Sequence, residues 1–282
     1  MSGSATVFTH ARPQDTRDAL RLLIDAARRA GSVLRFDPEE TRKHGLSAGE
    51  GIEVDAEVRT DVDVCICLGG DGTILRGLRT YAGTGVPVFA VNFGQIGFLA
   101  TVDPEEAEHG FERAFARDFD VLELPAIAVA GREDGTAIND ISLHRRPEGR
   151  VAQLAYAVGD DEIGRVRCDG LVVATAAGST GYNLANGGPV LAWGVEGYVV
   201  SFIAPHSLTA RSLVVAPTDR LILRNVGRED AVDVHIDGAR TCDLEAGDAI
   251  EIAFVPNQGK LAQIPGTNFY HRLREKFGRL AS

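Results

Sequence analysis

Leu68-Gly69-Gly70-Asp71-Gly72-Thr73 (LGGDGT) sets one carboxylate among three glycines at the end of an apolar run, with no bulky neighbour beside the acid. Upstream, Asp61, Asp63, Cys65 and Cys67 alternate with Val62, Val64, Ile66 and Leu68, a period of two that predicts a strand over 61–68. Thr73 to Tyr81 (TILRGLRTY) predicts the following helix, so the glycines fall in a strand-to-helix turn. Without a Cβ, glycine lets a ligand come close to the backbone amides. A helix N-terminus adds partial positive charge, and a phosphate is its natural guest. Asp71 conflicts with that guest unless a cation lies between them or the acid handles a proton. Read alone, the turn also fits an ordinary βα connection, where Gly and Asp are common.

The chain has 282 residues, 44% of them hydrophobic, enough for a sizeable core and about two domains. No apolar run approaches the ~18 residues of a membrane helix. The first residues (MSGSATVFTHARP) lack the layout of a signal peptide, so a soluble cytoplasmic protein is expected, with no membrane partner. A net charge of −11 argues against a nonspecific nucleic-acid surface. Cys65, Cys67, Cys168 and Cys242 show no CxxC spacing and no disulfide density, and Cys65 and Cys67 share a strand face, which suits packing better than metal binding.

Thr6–His10 reads as a strand, and Leu20, Leu23, Ile24 and Ala27 recur at helical spacing within 15–30. Residues 37–58 read as a polar loop with partial helix. Val86–Asn92 reads as the next strand, and its end carries a second glycine-rich segment, NFGQIGFL (92–99). Two neighbouring strands thus aim loops beyond their C-terminal ends, where open parallel sheets bind ligands. Phe98 and Leu99 are expected in the core. Residues 104–116 form a helix in this reading. From about Val121 the chain turns to short apolar runs separated by Gly, Asp and Pro, the texture of an all-β domain. An amphipathic helix over 268–280 (NFYHRLREKFGRL) ends it.

Three features of the second half bear on chemistry. Asn139-Asp140 pairs an amide with a carboxylate inside an apolar run, serving a ligand or a turn. DGLVVATAAGSTGYN (169–183) runs a buried strand into small hydroxyls, glycines and one tyrosine, which suits a ribose or flat base, or else a polar hairpin. Asp237-Gly238 places another acid at a turn, to meet a hydroxyl or to shape the turn.

Taken with GGPV (187–190) and APHSLTARSLVV (204–215), these segments resemble the NAD kinases in kind and order over nearly the whole chain. GGDGT alone is shared with lipid kinases and phosphofructokinases; the combination is far more specific. The resemblance implies an α/β plus all-β fold. Residues 1–118 would be a Rossmann-like α/β domain with the GGDGT loop, 119–264 a β-rich, β-sandwich-like NAD-binding domain, and 265–282 a helix packing back on the first domain. It implies phosphorylation of the adenosine-ribose 2′-hydroxyl of NAD, with ATP or a polyphosphate as donor, and a homodimer or homotetramer. By resemblance Asp71 is the catalytic acid, while Gly69, Gly70, Gly72 and Thr73 form the phosphate-donor loop. Gly72, Phe93, Asn139, Asp140, Asp169, Ala177, Thr180, Gly181, Tyr182 and Asp237 fall at the NAD site. Mg²⁺ or another divalent cation would offset the donor charge, held mainly by the donor phosphates, with no protein ligand assigned.

Two departures stand out. The family's Asn-Glu is Asn139-Asp140 here, one methylene shorter, and its T-P-T-G-S-T-A-Y is Thr175–Tyr182 with alanine at 177 and glycine at 181. The hydroxyl missing at Ala177 removes a hydrogen bond of about 0.5–1.5 kcal/mol, which implies altered nucleotide preference with activity retained. A lipid or sugar kinase sharing only GGDGT would leave Asn139-Asp140 and GSTGY unexplained. A nucleotide-binding regulator without turnover is the reading from another class.

Overall fold

The computed structural model describes residues 3–94 and 97–278. In chain order it contains β1 (Ser4–Thr9), α1 (Arg17–Ala30), β2 (Val33–Arg35), α2 (Pro38–His44), β3 (Ile52–Glu53), β4 (Val64–Gly69), α3 (Asp71–Thr80), β5 (Val88–Asn92) and α4 (Ala107–Ala116). Then come β6 (Asp120–Val129), β7 (Thr136–Ala137), β8 (Asp140–Arg145), β9 (Ala152–Val158), β10 (Asp161–Cys168), β11 (Gly170–Ala174) and α5 (Tyr182–Ala185). The remainder is β12 (Tyr198–Ile203), β13 (Leu213–Val215), β14 (Leu221–Asn225), β15 (Val232–Ile236), β16 (Ala239–Leu244), β17 (Ala249–Gln263) and α6 (Phe269–Phe277). Gln95 and Ile96 of the NFGQIGFL segment, and residues 279–280 of the expected terminal helix, lie outside the described residues. The chain forms two compact units, one of residues 1–123 with 259–282 and one of residues 124–258.

In the first unit the strands are parallel in the order β3-β2-β1-β4-β5, and Leu261 near the end of β17 pairs with Val88 of β5. The chain steps outward from β1 to β3 and then resumes at β4 on the other side. That reversal makes the ends of β1 and β4 the place where such sheets open a crevice. β4 is buried along its whole length. Ile66 and Leu68 join Leu20 and Leu23 of α1 and Phe111 of α4 in one core. Cys65 and Cys67 face α3 instead, where a Cβ on Gly77 would stand 2.7 Å from Cys67 Sγ. Burial pushes the Cys65 thiol pKa upward.

The expected strand over 61–68 therefore starts three residues late. A central parallel strand is covered on both faces and needs an unbroken apolar run. Asp61 and Asp63 lie before it, paired with Arg59 and Arg117. The helix expected over 73–81 is α3 at 71–80, so Asp71 and Gly72 belong to its first turn and not to the preceding loop.

The second unit stacks two antiparallel sheets around one core. One sheet runs β13-β12-β11-β8-β15-β16; the other contains β10, β9, β14 and the first part of β17. Leu143, Leu171 and Val200 of the first sheet meet Leu154, Val166, Leu223 and Ile252 of the second. Sequence patterning passes over β10 and β16 because both are edge strands with largely polar, solvent-facing residues. β17, at 15 residues, is longer than the short apolar runs expected of this half.

Residues 37–58 hold more order than a loop. Asp37 caps α2 through Glu40 N at 2.8 Å, and α2 delivers Glu40, fully buried, to a cluster of polar partners. Its carboxylate meets Lys43 Nζ at 2.8 Å, Arg76 Nη1 of α3 at 3.0 Å and Thr9 Oγ1 of β1 at 2.6 Å. Arg76 also contacts Asp37 and lies 4.4 Å over the Phe8 ring. Glu40 thus ties the helix that starts at Asp71 to the end of β1. Removing a buried charge from such a set leaves its partners unpaired. Glu40→Ala is expected to lower the unfolding free energy by about 3 kcal/mol, the low end for buried pairs because Arg76 keeps some water. Urea unfolding checks this, and a loss under about 1 kcal/mol would contradict it.

Candidate active site

One cluster of candidate residues is built in the first unit, at the end of β4. Gly69 must be small: a Cβ there would lie 2.3 Å from Thr73 Oγ1. Gly70 is the N-cap of α3 and sits against Gly94, whose own added Cβ would come within 2.7 Å of the Gly70 Cα. Phe93 N donates to Gly69 O at 3.0 Å, which ties the second glycine-rich segment to the first. The Phe93 side chain packs against the core of this unit. Gly70 O accepts from Thr73 N and Ile74 N, so the earlier amides of the helix have no acceptor within it. Gly72 is exposed, and a Cβ there would meet nothing within 4 Å. The fold does not require glycine at that position.

Asp71 is not the bare acid that its neighbours in sequence suggest. It is half-buried, and its two carboxylate oxygens accept from Phe98 N at 3.2 Å and Leu99 N at 3.0 Å. Phe98 and Leu99 are in the core as expected, each 2% exposed, but their amides look the other way. No sequence pattern marks a backbone contact of this kind.

A second cluster gathers in the 124–258 unit around Asn139-Asp140: Asn139 lies just before β8 and Asp140 is its first residue, so the pair opens a strand and does not interrupt one. Asp237, at φ 48°, turns its carboxylate back onto this segment and accepts from Ile138 N at 3.0 Å, Asn139 N at 2.8 Å and Asp140 N at 3.1 Å. Its visible role is to shape the turn. Gly178 lies against the other side: a Cβ would fall 2.0 Å from Asn139 O. Thr175 closes the join, its N and Oγ1 donating to Asn139 O and Ile138 O. So fixed, Asn139 keeps its side-chain oxygen buried with no hydrogen-bond partner. A buried acceptor of that kind is costly unless a ligand donates to it.

Asp140 is 8% exposed, and burial, reinforced by the Asp237 carboxylate, raises its pKa from 3.8 to about 7. Tyr182 stacks on His144 at 5.7 Å and 8° between planes, and His144 meets His235 edge-on at 4.8 Å. Burial and the Asp140 charge raise the Tyr182 pKa, while burial and then His235 lower that of His144. Asp140, Ser142 and His144 alternate along one face of β8.

The GSTGYN segment is a 3₁₀ turn followed by α5, not a hairpin. Thr180 Oγ1 donates to Ala177 O at 3.1 Å, Ala177 is buried, and Gly181 is exposed. Asp169 stands apart. It pairs with Arg145 at 2.6 Å, at the far end of β8 and β11 from Asp140. Five residues of strand put about 17 Å between those levels, so only an elongated ligand touches both. Among the described residues no group of three or more His, Cys, Asp or Glu is placed to hold a metal ion. Sequence reasoning passed over His144, and the Tyr182 stack offered no local signal for it.

The raised Asp140 pKa has a definite sign. The folded state holds this proton more tightly than the unfolded chain, so stability is lost as pH rises from about 4 through 7. The displacement corresponds to on the order of 4 kcal/mol above pH 7. Asp140→Asn mimics the protonated form, and its melting temperature is expected to exceed that of wild type at pH 8 with little difference near pH 4. Thermal melts at both values check this; an equal offset at the two would contradict it.

Comparison with known proteins places this geometry. The ATP-NAD kinase N-terminal domain model matches residues 33–119 and the ATP-NAD kinase C-terminal domain model residues 138–264. An NAD kinase of Symbiobacterium thermophilum is 35% identical over 222 residues, 77% of this chain and 78% of the relative. One of Gemmatimonas aurantiaca is 32% identical over 266 residues, 92% and 90%. Among solved structures, an NAD kinase from Archaeoglobus fulgidus in complex with ATP aligns with a TM-score of 0.71 at 25% identity, covering 99% of this chain and 98% of that one. Yeast NADH kinase complexed with NADH gives 0.86 at 21% identity, covering 100% and 89%, a likeness of fold. The chain belongs to the NAD kinase family.

Proposed function

We propose that this protein transfers the terminal phosphoryl group of ATP to the 2′-hydroxyl of the adenosine ribose of NAD, giving NADP. The observation that supports it most is the carboxylate of Asp71, set on the first residue of α3 beside the reversal of strand order and held by two amides. In the proposed step the 2′-oxygen bonds to the γ-phosphorus as the bond to the β-phosphate oxygen breaks. Asp71 accepts the hydroxyl proton. Phosphoryl transfer proceeds through a loose transition state, so the protein contributes position and charge.

Gly69, Gly70, Gly72 and Thr73, at the start of α3, are the proposed donor loop, with phosphate oxygens against the amides that have no helical acceptor. A divalent cation such as Mg²⁺ enters with the donor, held mainly by the donor phosphates, and offsets their charge. Polyphosphate is the second donor to be tried. On the acceptor side, the buried oxygen of Asn139 and the carboxyl of Asp140 take ribose hydroxyls, which separates ribose from deoxyribose because an unpaired buried acceptor is costly. Tyr182, on its His144 support, offers a face to a ring; Phe93, Ala177, Thr180 and Gly181 complete the NAD contacts. Asp169 serves the far end of the dinucleotide, and Asp237 acts by holding Asn139 and Asp140 in place. The proposed division is a donor-binding α/β domain over 1–118, an NAD-binding β-rich domain over 119–264, and a terminal segment over 265–282 that carries α6. A homo-oligomer in the cytoplasm belongs to the same proposal; among the described residues no helix is long and apolar enough to cross a membrane.

Asp71→Asn keeps the side-chain volume and removes the base. With MgATP and NAD, kcat for NADP formation is expected to fall by about 10²- to 10⁴-fold, with the protein still folded by circular dichroism. A rate near wild type would overturn the assignment. Gly72→Ala separates binding from folding. The added methyl meets nothing in the chain and improves helix propensity by about 1 kcal/mol, so the variant should melt no lower than wild type. Its KM for ATP should nevertheless rise about tenfold, a loss of about 1.4 kcal/mol of donor binding, and by more than its KM for NAD. An unchanged KM for ATP would remove the donor loop from Gly72.

A further inference from the structure

The amides that hold Asp71 belong to a short turn, and the opposite side of that turn is held by one side chain of the terminal helix. Arg272 Nη1 on α6 donates to Phe98 O at 2.9 Å and also to Ala100 O. The Phe98 ring packs against Phe269 at 5.6 Å and Phe277 at 5.9 Å, both on α6. Asp71, residues 97–100 and α6 all lie within the first unit. The geometry has a direct mechanical meaning. The carbonyl of Phe98 and the N–H of Leu99 are the two ends of one planar peptide group and point in opposite directions. Arg272 takes the carbonyl end, and the Asp71 carboxylate takes the N–H end. A donor at the carbonyl also polarises the peptide and strengthens its N–H as a donor.

We propose that Arg272 is a positioning residue for phosphoryl transfer: through the Phe98–Leu99 peptide group it fixes the carboxylate of Asp71 in the orientation from which that group takes the acceptor proton. The inference rests on the reading of Asp71 as the base. Burial lowers the Arg272 pKa, and the charges of Asp103 and Asp71 oppose that shift, which places the guanidinium within electrostatic reach of the carboxylate it positions. Neither GGDGT nor NFGQIGFL contains this residue, and nothing in the amphipathic pattern of the terminal helix sets it apart from Arg274 or Lys276.

The test is a double-mutant cycle in the full chain with NAD and MgATP, using R272M, R272K, D71N and each combined with D71N. R272M keeps the apolar stem and loses the donors; its kcat is expected to fall ten- to a hundredfold with KM for NAD within threefold of wild type. R272K keeps an ammonium donor and is expected to recover at least a third of the lost activity. In the D71N background either change should alter kcat less than twofold, because the group that Arg272 positions is already absent. An equal fold-loss with and without Asp71 would overturn the positioning role and leave the base intact. A lowered melting temperature with wild-type kcat would also overturn it, making Arg272 only an anchor for α6. If R272M does not fold, the R272K pair still reads the coupling. D71N with near-wild-type kcat would sink the base reading itself, whatever Arg272 does.

Discussion

A carboxylate held by two backbone amides, at the first turn of a helix and beside the reversal of a parallel sheet, is the constraint around which the first unit is arranged. Asp71 belongs to α3, but its partners Phe98 and Leu99 come from a separate segment beyond β5. Joining them requires β4 and β5 to be neighbours in register, which they are from Cys65–Val88 to Gly69–Asn92. It also requires the two glycine-rich segments to approach closely. Gly70 and Gly94 pack backbone to backbone, and Gly69 leaves space for Thr73. Small residues here allow the approach that places an acid in the first turn of a helix.

The same economy governs the second unit, with carboxylates in unlike roles. Asp237 spends its hydrogen-bonding capacity on three amides and so shapes a turn. That leaves Asp140 buried beside a like charge, with its pKa raised to about 7, and leaves the Asn139 oxygen without a partner. Such a segment is less stable than it would be with apolar residues, a cost that functional sites commonly carry. The shorter Asp140, where relatives of this family usually carry glutamate, occupies that buried position.

Much of this was legible in the sequence where local chemistry and periodicity agreed. The apolar run of β4, the glycines around Asp71 and the helix beyond them mark a βα unit unaided, and the later motifs identify the family through their order. Boundaries slipped where burial overrode pattern: β4 is apolar throughout because both faces are covered, so the aspartates before it were drawn into a false alternation. Edge strands β10 and β16 escaped because one polar face and few neighbours leave little apolar signal. What could not be read at all were contacts made by backbone or by distant side chains. Glu40 meeting Arg76, Asp237 reaching back to residues 138–140, and Arg272 holding the turn that holds Asp71 all join positions far apart in the chain. Their residue types are ordinary; only the fold makes them partners.

The central claim is that Asp71 faces the hydroxyl that becomes phosphorylated. A crystal structure of the protein with NAD bound measures this directly. The account predicts a carboxylate oxygen of Asp71 within about 2.6–3.2 Å of the adenosine-ribose 2′-oxygen, the reach of a hydrogen bond or of one proton transfer. An adenosine ribose seated beyond the reach of that carboxylate, even through one water, would contradict it.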